Sequence, residues 1–465
     1  MALSASEVVL GTIGRIKMTF ATLFFILAFL LSLHFTATRL AERMSITLLL
    51  MGGLLLIHGV PMLIYLHITG PDTFIYEKIL DLVNQEEIIE HLLLAMGIVF
   101  LCVPAGIRFT LWLWPTQWTT DEYLATWSDG GLRRVYQATP SVRRCLWLVV
   151  LIILAVIFIE EQPQKIIEYF LQGGSEYDNL ILRVDGGGTP HYIYNVFLYS
   201  IAPFVVLVLW SLRSALPADP HIKILFYVFL AVILIGKLGT LSKLPLVFLL
   251  LQLTLLIIII LQARIRTIDV LATILIATIL FSLVVNLTIP DLDIMGIFRF
   301  LYYRIFDIPN EVLIEYFSAF PYSLPHTWEY GVFGTLISPS GEVPLQNYFA
   351  VAELSRGSVL SSSNAMFLGD AWADYGWLGV VSFPFFAGVA VQSVDLYAAR
   401  LGRTDEWACI TAGCSFAVLT MLSTGLTTAF LTGGLALIPL VSILFLKPAA
   451  ERCSRVHDDQ EQVPS

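Results

Sequence analysis

Chemistry-bearing side chains are sparse in this chain and stand out where they interrupt apolar sequence. Lys237 and Lys243 bracket Leu238-Gly239-Thr240-Leu241-Ser242 between two strongly apolar stretches. A charge held inside a bilayer costs about 3 kcal/mol on insertion scales, so such a lysine either has a function or reaches back to the headgroups. Arg299 and Arg304 lie in the aromatic run Ile297-Phe298-Arg299-Phe300-Leu301-Tyr302-Tyr303-Arg304. Five residues apart, they fall on different helical faces. Either guanidinium can grip a phosphate through two N–H groups, or meet lipid phosphate from an interfacial helix. Arg356, in Leu354-Ser355-Arg356-Gly357, reads as a third such ligand or as a solvated charge.

Proton-transfer candidates come next along the chain. Pro325-His326-Thr327-Trp328-Glu329-Tyr330-Gly331 gathers a histidine, a carboxylate and aromatic rings. His326 or Glu329 can take a proton from a sugar hydroxyl if it lies within hydrogen-bond reach, and the same cluster also suits ordinary loop packing. Asp370 and Asp374 stand four apart on one helical face. They can hold an acceptor hydroxyl, pair with the arginines, or serve as first-turn acids favoured by the helix dipole. Gly376 and Gly379 are spaced to allow close helix packing.

The elements that position these residues are transmembrane helices. Apolar residues make up 57% of the 465 and charged residues 13%, where soluble domains carry about 25% charged. Mean hydropathy is +0.80. Apolar runs near the roughly 20 residues needed to span a bilayer fall at 18–36, 46–68, 88–107, 145–160, 192–212, 224–241, 245–262, 268–289, 372–396, 407–427 and 429–446. The expected fold is therefore all-α, a polytopic integral membrane protein of about eleven transmembrane helices with one large outward loop. Arg15 and Lys17 before the first run resemble a signal peptide, but the later spans favour a retained first helix. The organisation expected is membrane helices over 1–289, an outward loop over 290–371, membrane helices over 372–446 and a cytoplasmic tail over 447–465.

Orientation follows from the cytoplasmic preference of Lys and Arg. Arg39, Arg43, Arg108, Arg133, Arg134, Arg143, Arg213, Arg400 and Arg403 share one side, assigned to the cytoplasm, while 69–87, 161–191 and 290–371 face outward. Arg15 and Lys17 conflict with this count. Trp112, Trp114, Trp118 and Trp127 suit a segment lying in the inner interface. An outward segment as long as 290–371 is usually functional. Within it Asp307 is placed to cap a helix running to Phe317, and Ser361 to Asn364 to cap the ninth span. The net charge of −10 and the scattered basic residues give no reason to expect nucleic acid. The five cysteines read as free thiols, and no metal-site spacing is present.

The second half resembles the O-antigen polymerase (Wzy-type) and oligosaccharide repeat-unit polymerase families of bacterial envelopes. The resemblance rests on the basic stretch Gly236 to Pro245, the large loop with its arginines, and the run Asn364-Ala365, Leu368-Gly369-Asp370 and Tyr375-Gly376-Trp377-Leu378-Gly379. It implies a glycosyltransferase of the bacterial inner membrane without cofactor. The donor would be a polyprenyl-pyrophosphate-linked oligosaccharide, the acceptor a lipid-linked repeat unit, and the partners the bilayer and a chain-length regulator. By position, Lys243, Arg299, Arg304 and Arg356 are the pyrophosphate-binding candidates. His326, Glu329 and Asp370 are the candidates for orienting or deprotonating the acceptor. O-antigen ligases share this layout, and a transporter or flippase of lipid-linked sugars or a non-enzymatic complex subunit are the rival classes.

Overall fold

The computed structural model describes residues 19–40, 45–69, 85–114, 132–159, 196–239, 244–261, 293–326, 347–357 and 362–445, with 279 and 282. The described residues form an all-α protein whose β-pairing is confined to an isolated bridge between Arg133 and Thr404. Among the described residues, five helical stretches are long and apolar enough to cross a bilayer: Phe20–Thr38, Ile46–Thr69, Glu86–Leu113, Phe197–Ala215 and Phe367–Arg400. The chain is thus a multi-pass membrane protein. The span drawn at 268–289 lies almost wholly outside the described residues. The one drawn at 429–446 is a broken element, two short helices separated by a turn in which Gly434 has φ 86°. A side chain would oppose that backbone, and a Cβ there would sit 2.3 Å from the Ser200 hydroxyl.

The chain divides into two compact units. The first comprises Met1–Thr116, Arg264–Asp395 and Ala417–Ala429. It holds α1 (Phe20–Arg39), α2 (Ile46–His58), α3 (Val60–Ile64) and α4 (Gln85–Leu113). Helices α1 and α4 run parallel: Phe24 lies against Gly97, Phe25 and Phe29 against Phe100, and Phe35 under the Arg108 guanidinium. The opposite stripe of α1 is open, with Phe20 77%, Leu23 53% and Leu27 58% exposed, as a lipid-facing surface must be.

The second unit comprises Gln117–Ala263, Leu396–Phe416 and Phe430–Ser465. It holds α5 (Pro140–Ile159), α6 (Ala202–Ala215), α7 (Pro220–Gly239) and α8 (Leu244–Leu261). Three of the basic residues grouped by the charge argument make defined contacts within it. Arg133 N–H donates to the Arg403 carbonyl (2.9 Å), Arg134 donates to Ser211, and Arg143 pairs with Asp219 at 2.7 Å.

Back in the first unit lie α9 (Ile294–Tyr302), α10 (Ile308–Ala319), α11 (Asn347–Arg356) and α12 (Phe367–Arg400). The five-residue π-turn Tyr303–Asp307 joins α9 to α10 and ends with Ile308 N–H donating to the Tyr303 carbonyl. Pro309 explains the wider turn, since it has no N–H and its ring would collide with the carbonyl four residues back. The π-turn Phe197–Ile201 before Pro203 has the same cause. Because α9 runs into α10, Asp307 occupies the predicted cap position without capping and accepts from Thr69 Oγ1 (3.3 Å). Likewise Ser362, Ser363 and Asn364 lie ahead of α12, which begins at Phe367, and Ser363 bonds elsewhere.

Glycines set the geometry of α12. A Cβ on Gly388 would lie 2.3 Å from the Val103 carbonyl oxygen and one on Gly106 2.1 Å from that of Phe385, so α4 and α12 touch backbone to backbone here. The expected packing role of Gly376 and Gly379 is different in fact. Gly376 (φ 55°, ψ −136°) kinks α12. A Cβ on Gly379 would then fall 2.0 Å from the Ala371 carbonyl of the same helix.

Candidate functional site

Helix α10 is the centre of the site. Asn310 through Ala319 are all buried although the helix carries Glu311 and Glu315. Four apart, the two carboxylates share one face. The Glu315 side chain is 0% exposed. Its Oε1 accepts from Arg356 Nε (3.2 Å) and Nη2 (2.9 Å), and its Oε2 accepts from the Ser363 hydroxyl. Arg356 closes α11, where the helix dipole favours a cation. Its Nη1 has no hydrogen-bond partner among the described residues.

One turn earlier, Glu311 Oε2 accepts from the Tyr65 (3.4 Å) and Tyr303 (3.3 Å) hydroxyls. Burial, reinforced by the Glu315 charge, raises the Glu311 carboxyl above the ordinary range, against the pull of Arg356. Burial and the Glu311 charge push the Tyr303 hydroxyl up to about 12. Beside them, Asn310 Nδ2 donates to the Ile57 (3.1 Å) and Phe306 (2.7 Å) carbonyls, so its oxygen is the atom facing His58 Nδ1 at 2.8 Å. His58 therefore carries its proton on Nδ1, and its buried Nε2 has no partner among the described residues.

A second layer comes from the first turns of α12. Tyr316 donates its hydroxyl to half-buried Asp370 at 3.4 Å, and Asn347 Nδ2 donates to buried Asp374 at 2.8 Å. The two aspartates thus share a helical face but bind different partners. Gly425 approaches so closely that a Cβ on it would lie 2.4 Å from Asp370 Oδ2. His326 Nδ1 donates to the Ala373 carbonyl (3.3 Å), while its ring lies edge-to-face with Trp372 and fits into the space left by Gly376. Trp372 is fixed by its Nε1 donating to the Phe320 carbonyl and by stacking on Phe317. Trp377, 40% exposed, packs near His91 and Trp372 and presents an open aromatic face.

Of the residues singled out in the sequence, the structure gathers Arg356, Asp370 and His326 on the α10–α11–α12 packing. Arg299 and Arg304 are exposed on α9 and its π-turn, with Arg304 over the Phe300 ring at 5.2 Å. Lys243 and Glu329 lie outside the described residues. Sequence reasoning passed over Glu311, Glu315, Tyr65, Tyr303 and Ser363. The available signal was two acids four apart among Val312, Leu313, Ile314, Tyr316 and Phe317, a spacing that buries both or neither. Among the described residues no group of three His, Cys, Asp or Glu side chains is arranged to hold a metal ion.

No family model, curated protein or solved structure matches this chain.

The Glu311 environment predicts a pH effect. A carboxyl whose folded pKa is raised favours folding when protonated, and that contribution is lost as pH rises from the ordinary value of 4.5 through the raised one. Glu311→Gln holds the neutral form. Its unfolding midpoint in detergent should match the parent in acid and exceed it increasingly as pH rises above the ordinary carboxyl value. Parallel curves at every pH would refute the assignment.

Proposed function

We propose that this chain is a bacterial inner-membrane polysaccharide repeat-unit polymerase. It transfers glycan from a polyprenyl-pyrophosphate-linked donor to a hydroxyl of a second lipid-linked unit at the outer face of the membrane. The reading is supported by one observation above others: Arg356, from the long outward segment, holds the buried Glu315 of α10, while the next residue, Tyr316, bonds Asp370 of the helix that follows that segment. On this reading the chain crosses the membrane about eleven times, with segment 290–371 outward and a chain-length regulator as partner.

The chemistry needs a cation where the donor's pyrophosphate leaves, because stabilising developing charge is the largest catalytic contribution in such sites. Arg356 suits that task. Glu315, itself held by the Ser363 hydroxyl, fixes its guanidinium, and Nη1 is left to take a phosphate oxygen. As the acceptor oxygen forms the new glycosidic bond, the bond from the anomeric carbon to the pyrophosphate breaks. The hydroxyl proton passes to Asp370 or His326, the two acid–base candidates within the described site. Trp377 offers a stacking face for a sugar. Lys243, Arg299 and Arg304 remain candidate pyrophosphate ligands and Glu329 a candidate base.

The test is a gel of surface glycans from a strain lacking this gene, complemented with the parent or with Arg356→Lys. The reading expects the long ladder to collapse to core plus one repeat unit without the gene. Arg356→Lys should restore less than about a tenth of it, since lysine cannot make the paired contacts. Loss of the single-unit band as well would point to a ligase or flippase, and an unchanged ladder would remove the assignment. Full restoration by variants of Arg356, Asp370 and His326 would point to a scaffold.

A further inference from the structure

A groove of about 650 Å³ lies between α1 and α4, remote from the site just described and lined chiefly by Leu31, Ser32, Phe35, Phe100, Leu101 and Arg108. Three features distinguish it from an ordinary lipid-facing crevice. The first is charge: Arg108, held over the Phe35 ring at 5.3 Å, supplies a guanidinium at the end of an apolar channel, with His34 beside it. The second is Ser32. Its hydroxyl is buried and has no partner among the described residues. Thr36 and Thr38 on the same helix each donate to the carbonyl four residues back (both 2.8 Å), the usual solution in apolar surroundings, and Ser32 does not use it. The third is Pro104, which sits inside α4 and cannot give the Phe100 carbonyl its helical hydrogen bond.

We infer that this groove is a binding site for one anionic glycerophospholipid. Arg108 takes the phosphodiester, Ser32 donates to an ester carbonyl and one acyl chain lies along Leu31, Phe100 and Leu101. The axial offsets fit this division. Arg108 aligns with Phe35 while Ser32 lies one turn along α1, about 5 Å further into the groove, which is the scale separating a lipid phosphate from its ester carbonyls. The volume accommodates about twenty non-hydrogen atoms at roughly 30 Å³ each, a headgroup and the upper part of one chain. A zwitterionic lipid brings its own ammonium to the guanidinium and loses the electrostatic preference. Inorganic phosphate has no chain to fill the apolar part.

The test uses the full-length protein in mild detergent, mixed with equal amounts of phosphatidylglycerol and phosphatidylcholine of identical chains and examined by native mass spectrometry. Retention should favour phosphatidylglycerol about fivefold, the effect of one basic residue on an anionic lipid. Arg108→Gln should abolish the preference. Ala105→Phe, at an exposed lining position, should reduce retention of both lipids while leaving the unfolding midpoint unchanged. Inorganic phosphate in millimolar excess should not displace the bound lipid. Equal retention of the two lipids, a preference that survives Arg108→Gln, displacement by free phosphate, or selective displacement by a polyprenyl phosphate would each overturn the inference.

Discussion

Arg356→Ala is expected to cost about 3–5 kcal/mol of folding stability, the penalty for stranding a buried partner of an ion pair. The Glu315 side chain is fully buried and accepts two hydrogen bonds from this guanidinium, whose loss leaves the carboxylate with neutral hydroxyls, those of Ser363 and Ser355, among its contacts. Burial already raises the Glu315 carboxyl, and Arg356 is the first of the opposing influences. Without it the carboxyl must take up a proton or force the α10–α11 contact apart. The double variant Arg356→Met/Glu315→Leu removes both charges with similar volume and should recover most of the loss. Unfolding in detergent with increasing denaturant measures all three proteins. A single variant within about 1 kcal/mol of the parent, the size of an exposed pair, would show that the pair is solvated. If the chain is the proposed polymerase, the glycan ladder should stay collapsed in the double variant, because restored stability does not restore the cation.

Gly376→Ala is the second large effect, at about 1–3 kcal/mol. Its backbone, φ 55° and ψ −136°, belongs to a region that side chains oppose, and the added Cβ would lie 3.1 Å from His326 Nε2. Any relief moves the short arm of α12 before the kink, which carries Asp370, Trp372 and Asp374. On the proposed function the variant should therefore lose glycan polymerisation out of proportion to its stability, and tryptophan fluorescence should report the displacement of Trp372. Gly52→Ala serves as the control. Open space surrounds that position in mid-helix, so it should be neutral or stabilising by up to about 1 kcal/mol. Equal effects of the two substitutions would remove the kink from the argument.

The helices were legible in the sequence because a spanning segment declares itself by composition alone. Phe20–Thr38 and Phe197–Ala215 fall where hydropathy drew them. Continuity was harder to read, since 429–446 is apolar throughout and its break depends on the Gly434 conformation. Asp307 illustrates another limit. Its cap position was correct, but its cap role depended on the preceding residues being non-helical, and Pro309 instead produced a π-turn. At the site, Arg356 and Asp370 stood out as charges beside a helix. Glu311 and Glu315 did not, because an amphipathic solvent-facing helix and a buried acidic pair begin from the same spacing. The arrival of Tyr65, Arg356 and Ser363 from other parts of the chain distinguishes them.

The start of α2 bears on how the protein is made. Its first N–H groups, on Ile46 (3.0 Å) and Thr47 (2.8 Å), and the Thr47 hydroxyl all donate to the carboxylate of Asp395, near the far end of α12. The Ser45 hydroxyl accepts from the N–H of Leu48 within the same helix start. An acceptor some 350 residues downstream emerges from the ribosome long after α2 has entered the bilayer. Until then the first N–H groups of α2 depend on water or lipid headgroups for their partners. The bundle therefore closes late, by an N-terminal helix pair being locked by one of the last helices to be synthesised.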